Sequence, residues 1–582
     1  MRLRYRYTYL SLVAITAILL VWTGCVEKRE LKTQTVVVHM LAEPNGLHPV
    51  NNNDGYQNMI MQCTQKKLVQ LDIVNNELIP DALETLPEIL PDSLTYRCEL
   101  RTNMRWDNGK SVSVDDAIFS IKAIICPGVN AAGIKSIFDN VASVEKDAQN
   151  PNAFIVRMKK KYFDNRTLFS FVILLQEDFW DPSKSLRPFT VEGLKNPSDT
   201  NQLKPLKSFT DAFNHPDKAR MVKQLDGLGP YKVVAWENGQ SISLEKKVNW
   251  WGDTSKRPGD QNNPDRIIFK VIRDMEALIL ALKREEVDLT SELSAEALER
   301  LQKDDIFSST YSHNVLQSFS YTYMGLNMKP GMGRTPYFTD KKLRKAMACL
   351  MPVDEIIAVV ARGKATPIDG FILPAQKEYQ AHTLTQKQDE EKAAHWLNEA
   401  GWTDSDNDGI RDKVIGGKRV PLSISVSYMI SPVTEDLVRI IKNAYLRKGV
   451  EIRPNGLEFS AFYEQAYAHN FDAMLGAWSS SALAEDPRQI WHSSSWSAEG
   501  SNFVGFSNAQ CDSLIERANA EMNPKARKIL MNALQSIVQD EQPYVFIYNA
   551  TKKVALHKRF GKVKLCSERP HIWIGSLSVN KP

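Results

Sequence analysis

The stretch GLGPYKVVAWENGQSISLEKKVNWWG, Gly227–Gly252, opens on two glycines and a proline before a run that reads as a strand. Gly227, Gly229 and Pro230 suit a tight turn, because glycine reaches conformations closed to other residues and proline presets its own φ. Upstream, CELRTNMRWDNGKSVSVDDAIFSI, Cys98–Ile121, carries Asn108-Gly109, a strong hairpin signal. Asp115 or Asp116 there is suited to cap the helix that follows.

Around these stretches the chain alternates helix and strand patterns. Thr35–Met40 is short and β-branched and reads as a buried strand. Met275, Leu278, Ile279 and Leu282 recur with helical spacing behind Asp274. Leu343, Ala346, Met347 and Leu350 do so behind Asp340, and Val353, Ile356, Ile357 and Val360 repeat the pattern. Leu530, Leu534, Ile537 and Val538 mark a late helix ending before Pro543, and Tyr544–Tyr548 resumes a strand. Such alternation is an α/β architecture. No fixed internal period argues for a solenoid.

The chain has 582 residues, enough for three or four domains at roughly 150 residues each. Its formal charge is +4, from 73 basic and 69 acidic residues, too balanced to argue for a nucleic-acid partner. Arg2, Arg4 and Arg6, the apolar run Leu10–Val21 and then Gly24-Cys25 have the layout of a secretory signal. The apolar run is shorter than the roughly 20 residues a membrane span needs. Cys25 directly after Gly24 resembles a bacterial lipobox, in which the cysteine is acylated and becomes the new N-terminus; Trp22 departs from the leucine-like residue usual three places upstream. The expectation is residues 1–25 as a lipoprotein signal peptide, 26–33 as a polar tether, and an exported, lipid-anchored protein of a bacterial membrane. The six other cysteines form no C-x-x-C pair, and buried free thiols are expected.

Catalytic signatures are missing from the sequence: no G-x-S-x-G, H-E-x-x-H, P-loop or G-x-G-x-x-G. No cofactor is expected. In DSDNDGIRD, the carboxylates of Asp404, Asp406, Asp408 and Asp412 with Gly409 match the first half of an EF-hand loop, but Ile415 stands where the bidentate acid belongs. A polar turn is the favoured reading, with calcium binding the minority one.

Four segments in order resemble the family 5 extracellular solute-binding proteins of ABC importers, which include oligopeptide- and dipeptide-binding proteins. They are AEPNGLHP (Ala42–Pro49), Cys98–Ile121 with Trp106, Gly227–Gly252, and YFTDKKLRKAMACLMPVDEII, Tyr337–Ile357. The resemblance implies a periplasmic-binding-protein-like fold of two α/β lobes with a hinge and an extra subdomain. Lobe I would comprise 34–60, 200–312 and 540–582, the extra subdomain 61–199, and lobe II 313–539. It implies a monomer that delivers its ligand to ABC permease subunits.

FDAMLGAWSSSALAEDPRQIW, Phe471–Trp491, resembles the family's cleft strand and the loop after it. In peptide-binding members the backbone there pairs with an extended ligand, and an aspartate three residues after the tryptophan holds the ligand's ammonium. Here Ser481 takes that position, and the loop to Asp486 is about two residues longer. The expected ligand site is Ala477, Trp478, Ser479, Ser481 and Asp486, approached from the other lobe by Glu43, Pro44 and Asn45, with Glu485 or Asp486 as the compensating acid. The ligand is a peptide or similarly sized polar solute. Two competing readings are an exported hydrolase with a nucleophile among Ser479–Ser481 served by His469 or His492, and a sensory or scaffold protein of the same fold.

Overall fold

The computed structural model describes residues 33–51, 54–196, 200–220, 227–331, 333–381, 387–497 and 500–580. The expected signal segment, Cys25 and the expected tether up to residue 32 lie outside the described residues. No helix among those described is long and apolar enough to cross a membrane.

One large mixed sheet organises the chain. Its main strands, in chain order, are β1 (Thr35–Met40), β2 (Tyr231–Glu237), β3 (Ser241–Lys246), β4 (Arg266–Val271), β5 (Leu289–Thr290), β6 (Tyr311–Leu326), β7 (Ser423–Met429), β8 (Glu451–Leu457), β9 (Ala473–Ser479) and β10 (Tyr544–His557). Across the sheet they run β8-β7-β9-β6-β10-β5-β1-β4-β3-β2. The opening stretch Gly227–Gly252 is thus the β2–β3 hairpin at one edge, and β3 joins it antiparallel to β4. β1 lies parallel to both β4 and β5, and β7 parallel to both β8 and β9.

β6 and β10 form the seam. Tyr311–Gln317 pairs with Thr551–His557, and Tyr321–Gly325 pairs with Tyr544–Asn549. Between these two ladders the register slips at Gln317/Tyr321. A slip leaves backbone groups unpaired, and buried Asn549 covers them: its Nδ2 donates to the carbonyls of Ser318 at 2.7 Å and Ser320 at 2.8 Å.

Side chains of a strand alternate between faces, so a doubly covered strand feeds two cores. Val36, Val38 and Met40 enter the largest core, while Val37 packs with Leu278, Leu282 and Leu298. β10 reaches four cores: Val554 and Leu556 in the largest, Ala555 opposite, Val545 and Ile547 in a third, Tyr544 and Phe546 in a fourth. A separate four-stranded sheet, in the order Glu88–Ile89, Thr95–Glu99, Ala153–Met158, Val141–Lys146, packs into the largest core with the helix Val114–Ile125.

Most of the expected helices are present with their caps. Asp274 accepts from the Ala277 N–H and Asp340 from the Lys342 N–H. At Val114–Ile125 the cap differs from the expectation: Ser113 caps the helix, and Asp116 returns a bond to the Ser113 N–H from three residues inside, a capping box. Cys63, Cys98, Cys126, Cys349, Cys511 and Cys566 are all free thiols, and only Cys349 among them is more than marginally accessible. Burial pushes the Cys63 thiol up to about 12, leaving it protonated and unreactive.

Candidate ligand cleft

Trp478 stands at the end of β9, on the edge of the sheet where the parallel strands β7, β8 and β9 finish. Its indole Nε1 donates to the Tyr544 hydroxyl at 3.3 Å. The Tyr323 ring lies parallel to the indole at 6.3 Å and that of Phe503 nearly parallel at 6.0 Å. Tyr323 stacks in turn on Tyr544 at 3.9 Å. Gly476 makes room for this stack, since a Cβ there would meet the Tyr323 ring at 2.8 Å. The aromatic floor is therefore rigid, with each ring held by another.

β9 has one satisfied edge and one open one. From Ala473 to Ser479 it pairs with β6 along its whole length, with Trp478 opposite Tyr321. On the other side only Ala473 and Met474 pair, with Val426 and Ser427. Beyond them, Leu475–Ser479 has no strand partner on that side among the described residues. Ala477 and Ser479 are exposed there. A row of unpaired backbone groups is a template for a further strand.

Trp478 and Ser479 also line a cavity of about 70 Å³, with Tyr321, Ile372, Glu485 and Trp491. Glu485 brings a carboxyl to this lining. Its Oε1 accepts from the Ser481 N–H at 2.9 Å. Glu485 is exposed, yet the protein packed around its carboxyl, with Glu378 and Asp164 nearby, pushes it up to about 7; the Ser481 and Ser480 hydrogen bonds pull the other way and are outweighed. Asp486 also lines the cavity, yet its oxygens are taken: Oδ1 accepts from the Arg488 N–H at 2.8 Å and Asn519 Nδ2 at 2.7 Å, and Oδ2 from the Tyr162 hydroxyl at 3.1 Å. Ser481 is half-buried, with Oγ accepting from the Leu483 N–H at 3.2 Å. Gln376 Nε2 donates to Ser480 Oγ at 3.0 Å, and Gln376 and Glu378 line both this cavity and a second of about 360 Å³.

Glu43, Pro44 and Asn45 are not among the residues lining either cavity. The Glu43 carboxylate accepts from Trp236 Nε1 at 3.1 Å and the Gly239 N–H at 2.9 Å, which fastens its loop to the β2–β3 hairpin. Pro44 is buried, and the Asn45 carbonyl accepts from Arg220. Tyr321 and Gln376 were not legible as site residues. They come from two distant segments and belong to no motif, and only chain topology brings them to Trp491, which closes the stretch Phe471–Trp491.

Neither histidine serves the serines. His469 bonds the carbonyls of Phe503 and Trp496, and His492 Nδ1 bonds Ser494. A nucleophile needs its base within hydrogen-bond reach. In the acidic loop, Asp404, Asp406 and Asp412 bring oxygens within 4.8 Å of one another. Yet Asp404 accepts from the Asp408 and Gly409 N–H groups, Asp408 from the Ile410 N–H, Asp412 from Ser405, and Asp406 pairs with Arg419. These are the bonds of a polar turn leading into the Asp412–Pro421 hairpin.

Residues 77–500 match the family model for bacterial extracellular solute-binding proteins, family 5. That span is most of the chain. The chain belongs to this family. It is 25% identical to the oligopeptide-binding protein AppA of Bacillus subtilis over 537 residues, covering 90% of this chain and 87% of AppA. The structure of AppA in complex with a nonapeptide superposes with a TM-score of 0.68 at 24% identity, covering 94% of this chain and 99% of that one. That of NikA from Brucella suis in complex with Fe(III)-EDTA gives 0.73 at 19% identity, covering 94% and 100%. The family 5 chain is thus a solute-binding protein with the periplasmic-binding-protein fold.

Proposed function

We propose that this solute-binding protein captures a peptide in the cleft at Trp478 and delivers it to an ABC permease. The open edge of Leu475–Ser479 carries the reading, since an extended peptide can add to it as a strand with its side chains in flanking pockets. Ala477, Trp478 and Ser479 line the ligand's path. Glu485 takes the part that the Ser481 position lacks and meets the ligand's ammonium, while Asp486 anchors the loop. The kinship with AppA and with the dipeptide-binding protein DppE of Bacillus subtilis supports a peptide, whereas the Fe(III)-EDTA in NikA marks the main competitor, a metal chelate. The two lobes are 34–60 with 200–312 and 540–582, and 313–539, with 61–199 as the extra subdomain; they close about the seam of β6 and β10. A lipid on Cys25 holds the protein at the membrane; an intact mass of the mature protein without acyl chains would refute that part.

Native mass spectrometry of the purified protein, followed by calorimetry against di- to hexapeptides, tests the ligand. Micromolar or tighter binding of a peptide with a free N-terminus is expected. Failure of every peptide, with tight binding of a sugar or metal chelate, would overturn the peptide reading.

A further inference from the structure

The ligand loop is held from outside its own core. The segment 160–166 follows the strand Ala153–Met158 and precedes Leu168 and Phe169, which are buried in the largest core. Its Tyr162 hydroxyl donates to Asp486 Oδ2 at 3.1 Å, and the Phe163 N–H donates to the Asn519 carbonyl at 2.9 Å. Asn519 lies on the helix Ala509–Ala520 and donates its own Nδ2 to the other oxygen of Asp486. The Phe163 ring carries the guanidinium of Arg527 at 3.5 Å.

Arg527 is the hub. It is 2% exposed and sits on the helix Pro524–Glu541. Its Nε donates to the Ala518 carbonyl, its Nη1 pairs with Glu378, and its Nη2 donates to the Glu485 carbonyl at 2.6 Å. A buried guanidinium needs every donor satisfied in a fixed direction, so its position fixes the backbone it bonds. The backbone here belongs to Glu485. The next residue, Asp486, is the one Tyr162 holds.

We propose that Tyr162 and Phe163 are positioning residues for the ligand site: through Asp486, Asn519 and Arg527 they set where the Glu485 carboxylate stands. Neither lines the Trp478 cavity. The proposal builds on the reading of Glu485 as the group that meets the ligand. Two side chains from the four-stranded-sheet region thereby govern a loop whose neighbours pack in a different core.

Hydrogen exchange on the full chain without added ligand tests it, with Tyr162→Phe, Phe163→Ala and Phe163→Tyr. In Tyr162→Phe and Phe163→Ala the amides of residues 480–486 are expected to exchange at least tenfold faster, with β1 and β4 unchanged. Phe163→Tyr keeps the ring under Arg527 and is expected to exchange like the parent. Loop rates within twofold of the parent in Tyr162→Phe would overturn the proposal. So would acceleration confined to residues 160–166. No ligand enters this experiment, so failure of the peptide assay leaves it standing, and its own failure leaves the ligand class untouched.

Discussion

At the scale of single residues, Glu485 is the most consequential side chain. Its carboxyl titrates near 7, raised by its protein surroundings, so it is half protonated at neutral pH. A raised acid favours the folded state fully only below its unfolded value, and its contribution erodes as pH climbs from there through about 7. Ligand binding has the opposite sign, because only the ionised form attracts an ammonium. Affinity for a peptide with a free N-terminus is expected to fall about tenfold from pH 8 to pH 6, the change in ionised fraction about a midpoint near 7. An N-acetylated peptide is expected to lose that dependence. Glu485→Gln is expected to bind the free peptide at least tenfold more weakly and flatten the profile. Calorimetry at three pH values checks both. The sequence singled out Ser481 as the missing acid and named two candidates to replace it. It held no sign of which, because the choice rests on Tyr162 and Asn519 occupying Asp486 from 324 and 33 residues away.

At the scale of elements, the helices were legible and the long strands were not. Asp274 and Asp340 announced their helices because a cap is a local device, decided within four residues. β10 was readable only over its apolar start. Its middle, Thr551-Lys552-Lys553, has no strand signature and is only half-buried. Pairing with β6 holds it extended, a contact more than 200 residues distant. The same pair contains the slip that Asn549 covers. Asn549→Ala removes both bonds and leaves the buried Ser318 carbonyl and the half-buried Ser320 carbonyl without their donor, a cost of about 1–4 kcal/mol in total. Denaturant unfolding is expected to show that loss, with Asn549→Asp no better, because a carboxylate cannot donate to carbonyls.

At the scale of the whole molecule, a buried ion cluster ties distant parts of the chain together. Lys66 Nζ meets Asp81 at 3.0 Å and Asp260 at 2.5 Å, and Arg101 meets Asp260 at 2.8 Å. Burial alone would raise the Asp260 carboxyl, but Lys66, Ser255 and Arg101 outweigh it and hold the group below its ordinary value. A depressed acid stabilises the fold above its unfolded value, and that stability is lost as pH falls through its folded one. Asp260→Asn leaves buried Arg101 without its carboxylate and Lys66 with Asp81 as its remaining acid, and is expected to cost about 3–5 kcal/mol, read as a lower denaturant midpoint at pH 7. The difference from the parent should narrow in acid, where the parent's own Asp260 is protonated. None of this was legible in sequence, where four charged residues over 195 positions look like surface.

The seam has a consequence in time. β10 stands between β6 and β5, so without it the sheet splits into β8-β7-β9-β6 on one side and β5-β1-β4-β3-β2 on the other. Among the described strands of the sheet it also comes last in chain order. Synthesis must therefore pass residue 557 before either half can finish its sheet. Until then each half lacks the strand that would cover its inner edge. A nascent chain stopped at residue 540 is expected to remain protease-sensitive throughout, and resistance should arrive only when Tyr544–His557 has emerged.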